Sequence, residues 1–254
     1  MTKQGKIRVF ITGGSKGIGK ALTLEYAKQD AEIFLFSRNE TALEGLTEFI
    51  NENGGKAHFY AGDVTNKSDV AAAIEKAGSE MNGIDIAILN AGISEHINIR
   101  EFDSQIYEKT FAVNLIGNTY IMEYVIPVMK RQKSGKIVGI SSIAGFRATP
   151  GSSAYSASKI AFDYLLESAR YELKDFGIAV ITVRFGFINT EIIKKNDFYM
   201  PFMLEPEECA IKVIKGIEAG KSKIQFPLIM LWLSKIASVL PEMIYGKIMK
   251  FRIK

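Results

Sequence analysis

The chain has 254 residues, 47% apolar and 24% charged, which is globular composition with ample core material and an ordinary length for one α/β domain. A single cysteine, Cys209, excludes a disulfide framework, and with two histidines it leaves no zinc site, so a reducing cytoplasm fits. The formal charge of +4 equals the four cations Lys247, Lys250, Arg252 and Lys254 that follow Glu242, so the body of the chain is balanced, which argues against a nucleic-acid groove.

No charged-then-apolar leader precedes the run at Lys6–Ile11, so no secretory signal is expected. Residues 7–11 (IRVFI) are continuously apolar and end at glycines, which predicts a strand buried on both faces. Thr12-Gly13-Gly14-Ser15-Lys16-Gly17-Ile18-Gly19 follows, then the helical spacing of Ala21, Leu22, Leu24, Tyr26 and Ala27. Glycines let the backbone approach a pyrophosphate, and the first helical turn offers free N–H groups and the positive end of a dipole. Gly13, Ser15, Lys16, Gly17, Ile18 and Gly19 are the expected contacts; the competing reading is a tight turn and nothing more. A second apolar run, Ile33 to Phe36, ends in Ser37-Arg38-Asn39. NAD-binding units usually carry an acid at this point for the ribose 2′-OH. Here Ser37 takes that place, and Arg38 can grip a 2′-phosphate through charge-assisted hydrogen bonds, with Lys16 as a second cation. NADP is therefore favoured over NAD, unless Arg38 is only a solvated loop residue.

Residues 41–52 read as a helix closed by Asn53-Gly54-Gly55, and 56–61 as a third strand ending at Gly62-Asp63-Val64. Open α/β sheets bind ligands at the carboxyl ends of strands, so Asp63, with Val64 beside it, either meets an adenine amino group or caps a turn. A helix is expected over 68–81 and a fourth strand over 84–89, ending in the small residues Asn90-Ala91-Gly92. A long helix over 104–131 carries Asn114 between Val113 and Leu115; its amide is either buried in a polar role or turned to solvent. A fifth strand over 136–140 ends in Ser141-Ser142. The next helix, 154–176, bears Tyr155 and Lys159, one turn apart on one face. A phenol has a pKa of about 10, and a nearby ammonium favours the phenolate, so the pair is a candidate general acid/base; the competing reading is a tyrosine and a lysine that share a helix face by chance. A sixth strand, 178–183, runs into the segment from Arg184 to Thr190. This alternation implies one domain, a parallel sheet with helices on both faces.

Thr12-Gly13 with Gly17-Ile18-Gly19, then Asp63, Asn90-Ala91-Gly92, Asn114, Ser142, Tyr155 and Lys159, in this order over residues 6 to about 220, resemble the short-chain dehydrogenase/reductase family. The resemblance implies a doubly wound Rossmann domain over 1–226. It also implies an NADP(H)-dependent enzyme passing hydride between nicotinamide and a ketone or secondary alcohol, with carbonyl reduction the expected direction. Tyr155 would be the proton donor. Lys159 would bind the nicotinamide ribose and lower the Tyr155 pKa, and Ser142 would hold the substrate oxygen. Asn114 would kink its helix and hold a water for proton relay. Asn90, Ala91 and Gly92 would line the cofactor, Ile188 and Thr190 would meet the nicotinamide amide, and Gly186 lies in the loop beneath. This chain has Phe185-Gly186 where relatives usually have Pro-Gly, and Leu89 where a second asparagine often precedes Asn90. The rival reading is a catalytically silent dinucleotide sensor or scaffold, which the presence of Tyr155 and Lys159 opposes. Nucleotide-sugar epimerases share the Tyr–Lys pair but usually have a longer C-terminal domain. Relatives mostly pair through the two long helices, implying a homodimer or homotetramer.

Tyr199 and Met200-Pro201-Phe202-Met203-Leu204 fall where relatives carry a mobile lid; this composition suits an apolar substrate or ordinary core. His58, His96, Cys209 and Trp232 read as structural. Residues 227–254 are expected as a helical extension packed on the same domain. The apolar run from Ile224 to Leu233 is interrupted by Lys235, short of the roughly 20 residues a bilayer span needs. A helical pattern after Pro241 then sets Met243, Ile244, Ile248, Met249 and Phe251 among Lys247, Lys250, Arg252 and Lys254. Two readings stand: a peripheral segment lying on an anionic membrane surface, or helices that close the substrate pocket or a subunit interface.

Overall fold

Apolar runs bounded by glycine and polar turns become seven parallel strands among the described residues: β1 (Arg8–Thr12), β2 (Glu32–Ser37), β3 (Lys56–Ala61), β4 (Ile86–Leu89), β5 (Gly135–Ser142), β6 (Ile178–Phe185) and β7 (Lys223–Phe226). The structure, a computed structural model, describes residues 5–193 and 200–250. The expectations placed on Tyr199, Phe251, Arg252 and Lys254 lie outside those residues. The strands join in the order β3-β2-β1-β4-β5-β6-β7. The chain reverses its direction of travel across the sheet at β1, which opens a crevice at the carboxyl ends of β1 and β4.

Helices α1 (Gly17–Lys28), α2 (Glu40–Glu52) and α7 (Pro206–Glu218) cover one face; α3 (Lys67–Glu80), α5 (Gly117–Gln132) and α6 (Ser153–Glu172) cover the other. Side chains alternate along β1 accordingly. Val9 and Ile11 pack with Leu22, Leu43 and Val213, while Phe10 packs with Phe34, Val70, Ile121 and Phe162. Both faces are buried, which is why β1 and β2 read as unbroken apolar runs rather than alternating ones. The burial of each such side chain contributes about 1.5–3 kcal/mol.

Three segments differ from the pattern read in the sequence. The helix expected over 104–131 is α4 (Ser104–Phe111), a π-helical turn over Ala112–Ile116, and α5. The helix expected to reach residue 176 ends at Glu172, followed by a 3₁₀ turn at Lys174–Phe176 and left-handed Gly177. The apolar run from Ile224 is two elements, because Pro227 separates β7 from α8 (Leu228–Val239); α9 (Glu242–Lys250) closes the described chain. Four residues of strand continuous with an apolar helix carry no local signal of the break other than that proline.

Candidate active site

The loop after β1 is built by backbone. Gly13 has φ +66° and Gly17 φ +54°, both left-handed. A Cβ on Gly19 would sit 2.2 Å from the Gly13 carbonyl oxygen, so only glycine lets α1 start this close to the strand end. The N-cap residue Lys16 is extended with no side-chain cap, and the first turn of α1 holds no acid, which leaves its N–H groups directed outward.

Thr12, absent from the expected contacts, fastens this loop. Its Oγ1 accepts from Asn90 N (2.9 Å) and Ala91 N (3.0 Å), while Asn90 Nδ2 donates to Thr12 O (2.9 Å) and Gly13 O (3.1 Å). Asn90, expected to line the cofactor, thus spends its amide on clamping β1 to β4. The signal for Thr12 was a polar residue ending a buried strand.

At the adenosine end, Ser37 Oγ donates to Ser15 Oγ (3.1 Å). Arg38 is 68% exposed and its Nη1 lies 3.8 Å from Asp63 Oδ2. Asp63 divides its oxygens: Oδ1 accepts from Thr65 N and Oγ1, both at 2.9 Å, as a turn cap, and Oδ2 faces Arg38. Val64 is buried, and its side chain packs in the core beside Gly117. Lys16, expected to serve beside Arg38, forms an exposed 3.0 Å pair with Glu191 instead. That pair draws the loop after β6 over the glycine loop, where Thr190 approaches Gly17 and Ile188 is buried. Ile18 is partly buried against the same core. A cleft of about 440 Å³ opens here, lined by Ser15, Lys16, Gly17, Lys20, Asn189 and Thr190 among others. Leu204 returns to this loop, Leu204 N donating to Phe187 O (3.0 Å), while Phe202 and Met203 stay exposed. The expected lid segment is therefore core at one end and surface at the other.

The β4–β6 end is built by buried side chains. Lys159 is 4% exposed and its Nζ donates to Ile140 O (2.9 Å). Burial pushes its ammonium down to about 8, against a smaller raising effect from Asp163. Tyr155 stands one turn away, its ring centroid 5.7 Å from Lys159 Nζ. Burial raises the phenol above its ordinary value, and a side-chain hydrogen bond with Ser142 only partly opposes this. The phenol expected below its ordinary value lies above it, because burial outweighs what favours the phenolate, and the Lys159 ammonium is itself desolvated and aimed at Ile140 O. Ser141 points back to the Lys159 carbonyl (3.5 Å), which leaves Ser142 as the serine facing the phenol.

Asn114 sits in the π-helical turn and is fully buried. Its Oδ1 accepts from Ile93 N (2.8 Å), and its Nδ2 donates to Ile93 O (2.9 Å) and Ser158 Oγ (3.0 Å). Both amide hydrogens are thus committed to protein. One residue of extra helical turn aims this amide inward, as π-turns at functional sites do. Gly92 completes the centre: a Cβ there would lie 3.5 Å from Lys159 Nζ and 3.4 Å from Asn114 Oδ1. The space above the lysine is a cradle that any larger residue would fill.

Below it, Arg184 Nε donates to Asp163 Oδ2 (2.7 Å), both nearly buried, and the guanidinium lies 5.2 Å from the Phe146 ring. Asp163 Oδ1 has no hydrogen-bond partner among the described residues. Sequence reading missed this pair, although an acid at i+4 from Lys159 was visible.

A dinucleotide fits the arrangement. An uncapped helix N-terminus, a left-handed glycine turn and the cradle at Gly92 lie along one crevice, where the strand order reverses. Residues 8–198 match the model of the short chain dehydrogenase family. An uncharacterized oxidoreductase of Myxococcus xanthus is 30% identical over 236 residues, 93% of each chain. Estradiol 17-beta-dehydrogenase 11 of Homo sapiens is 29% identical, covering 92% of this chain and 79% of that one. The crystal structure of a short-chain dehydrogenase/reductase from Burkholderia phymatum in complex with NAD superposes with a TM-score of 0.84 over 93% of this chain and 94% of that one; at 20% identity it shows the fold. Crevice, family match and relatives agree: the chain belongs to the short-chain dehydrogenase/reductase family, oxidoreductases whose fold binds a nicotinamide dinucleotide.

Proposed function

We propose that this chain is an NADP(H)-dependent reductase of an apolar ketone, working through Ser142, Tyr155 and Lys159. The observation that carries this reading is the grouping of Tyr155 and Ser142 with a buried lysine one turn on and the Gly92 cradle above it. Residues 13–19 would hold the pyrophosphate, and Ser37 and Arg38 the 2′-phosphate. The outer oxygen of Asp63 would meet the adenine. Asn90–Gly92, Gly186, Ile188, Thr190 and Lys159 would border the nicotinamide half. Bound there, the nicotinamide would supply the hydride. Ser142 orients the carbonyl oxygen. Tyr155 gives that oxygen its proton, and a phenol above its ordinary value is in the donor form at neutral pH. Lys159, at about 8, is mostly charged at neutral pH and favours the phenolate as it forms. Asn114 ties the turn bearing Ser158 to the segment after β4 and so holds the lysine in place.

The choice of NADP is supported by Ser37 where an acid would repel a phosphate, and by Arg38, whose exposed 3.8 Å pairing with Asp63 is loose enough to be exchanged. The apolar substrate is supported by exposed Phe202 and Met203 beside the loop after β6, and by relatives named as steroid dehydrogenases. Pairing of copies through α5 and α6 is supported by exposed Tyr164 and Tyr171, two turns apart on α6. A cytoplasmic setting agrees with one buried thiol, Cys209, pushed up to about 12 by burial.

The test is oxidation of NADPH and NADH across apolar and polar ketones. NADPH should be consumed with apolar ketones. NADPH that binds but is not oxidised with any compound would instead support a silent dinucleotide-binding protein.

A further inference from the structure

The C-terminal helices show one-sided exposure. In α8, Leu231 is 5% exposed, whereas Leu228, Ile229, Trp232, Leu233, Ile236 and Val239 are 49–79% exposed. Positions 228, 232, 236 and 239 fall on one stripe of a helix. Met243, Ile244 and Ile248 of α9 add to it at 77%, 48% and 48%. Scattered exposed apolar residues are ordinary, but a contiguous stripe on two successive helices marks an interaction surface. These side chains face away from the domain, whereas the inner side of α8 packs on it, with Leu231 buried and Met230 Cβ 3.7 Å from where a Gly186 side chain would start.

Charge selects the occupant. Lys235 lies 5.1 Å from the Trp232 ring centroid, and Lys247 is exposed on α9. The sequence adds Lys250, Arg252 and Lys254, the last two outside the described residues. The one acid after residue 218 is Glu242, and it is paired with Arg147 at 3.2 Å. A second copy meeting this face about a two-fold axis would set these cations against their own images. A surface of anionic lipid matches both the apolar stripe and its cationic edge, with Trp232 at the boundary. No helix among the described residues is long and apolar enough to cross a membrane, so contact would be lateral.

The helices are not a loose tail. Arg147 Nη1 donates to Ser238 O (3.2 Å) and Leu240 O (3.1 Å), its guanidinium stacks 4.2 Å from the Tyr245 ring centroid, and Tyr245 OH donates to Ala148 O (2.8 Å). Arg147 and Ala148 lie on the segment joining Ser142 to Tyr155. We propose that α8 and α9 lay this protein on an anionic membrane surface with the rim of its catalytic centre beside the lipid. The corollary, an apolar carbonyl substrate drawn from the bilayer, rests on the function proposed above.

Trp232 is the only tryptophan of the chain, so its emission reports on this face without turnover or nucleotide. The full-length protein is mixed at low salt with phosphatidylcholine vesicles containing phosphatidylserine. Emission should shift to the blue and the protein should sediment with the vesicles, whereas neutral vesicles or high salt should prevent both. Ile236→Glu with Val239→Glu, both on the exposed side, should abolish sedimentation without lowering the melting temperature. Lys235→Glu with Lys247→Glu keeps the apolar stripe and should weaken binding more than tenfold, since each cation contributes roughly five-fold. Unchanged emission with anionic vesicles would overturn the proposal. So would a dimer split by Ile236→Glu and Val239→Glu that is indifferent to vesicles, because a second copy would then cover the face. Vesicle binding without ketone reduction would refute the corollary and leave the docking surface standing.

Discussion

The two ends of the crevice are made of different material. At the β1–β3 end the backbone shapes the site through Gly13, Gly17 and Gly19, and the charged side chains are loosely held, Lys16 at 70% and Arg38 at 68% exposure. At the β4–β6 end the site is buried side chains, with Asn114 and Ser158 at 0% and Lys159 at 4% exposure. Exposed charges are cheap to hold and free to change partner, so they suit the choice between nucleotides. Buried polar groups must each be partnered, so the residues proposed to carry the chemistry are also part of the fold. Substitutions at the first end should therefore change affinity, and those at the second should change turnover and stability.

The largest expected effect is at the buried end. Tyr155→Phe should lower turnover by on the order of 10²–10⁴ while NADPH binding, measured by titration, stays near wild type. Activity within a few-fold of wild type would remove Tyr155 from the chemistry. Next is Asp163→Ala, which leaves Arg184 buried without its partner and should lose about 3–5 kcal/mol in urea unfolding. Lys16→Ala, which breaks the exposed pair with Glu191, serves as the contrast and should lose less than about 1 kcal/mol. Equal losses would mean the two ends do not differ as described.

At the exposed end, Arg38→Ala should cost NADPH about 1.5–3 kcal/mol in affinity and leave NADH little changed. Wild-type protein that binds the two equally would contradict the reading of Ser37 and Arg38. The smallest effect concerns Lys159 without nucleotide. Its folded value of about 8 lies below the ordinary 10.5, so between these values the folded protein binds fewer protons than the unfolded chain. Stability is lowest below pH 8 and rises toward pH 10.5. The shift corresponds to about 3 kcal/mol, and the bond to Ile140 O returns about 1–2 of that. Lys159→Met should therefore melt higher at pH 7 by an amount equivalent to about 1–2 kcal/mol, and toward pH 10.5, where the charge no longer costs anything, the lost bond to Ile140 O should leave it about 1 kcal/mol less stable than wild type. An advantage constant across that range would place its origin elsewhere than the buried charge.

Much of the site was legible because its signals are local. Strand, glycine turn and helix are contiguous in residues 7–28, and Tyr155 and Lys159 share a helix face through their spacing alone. The six strands read from apolar runs all belong to the sheet, with ends differing by a residue or two. The seventh escaped because Lys223–Phe226 is short and merges with the apolar helix that follows.

The alternation of buried runs and amphipathic helices was enough to specify a parallel sheet layered by helices and to place the glycine loop, Asp63, Asn90, Ser142 and Tyr155 at strand ends or helix starts, because backbone periodicity is a property of neighbours in the chain. Partnership and exposure are not. Thr12 meets Asn90 across 78 residues, Asn114 meets Ser158 across 44, and Arg184 meets Asp163 across 21, so these pairings arise only when the sheet brings distant segments together. The rise of the Tyr155 phenol and the fall of the Lys159 ammonium follow from the same packing, since desolvation depends on what surrounds a group. So does the fate of the apolar C-terminus: helical spacing put Leu228, Trp232 and Ile236 on one stripe, but that the stripe faces outward follows from how α8 packs against β7 and the loop after Ser142.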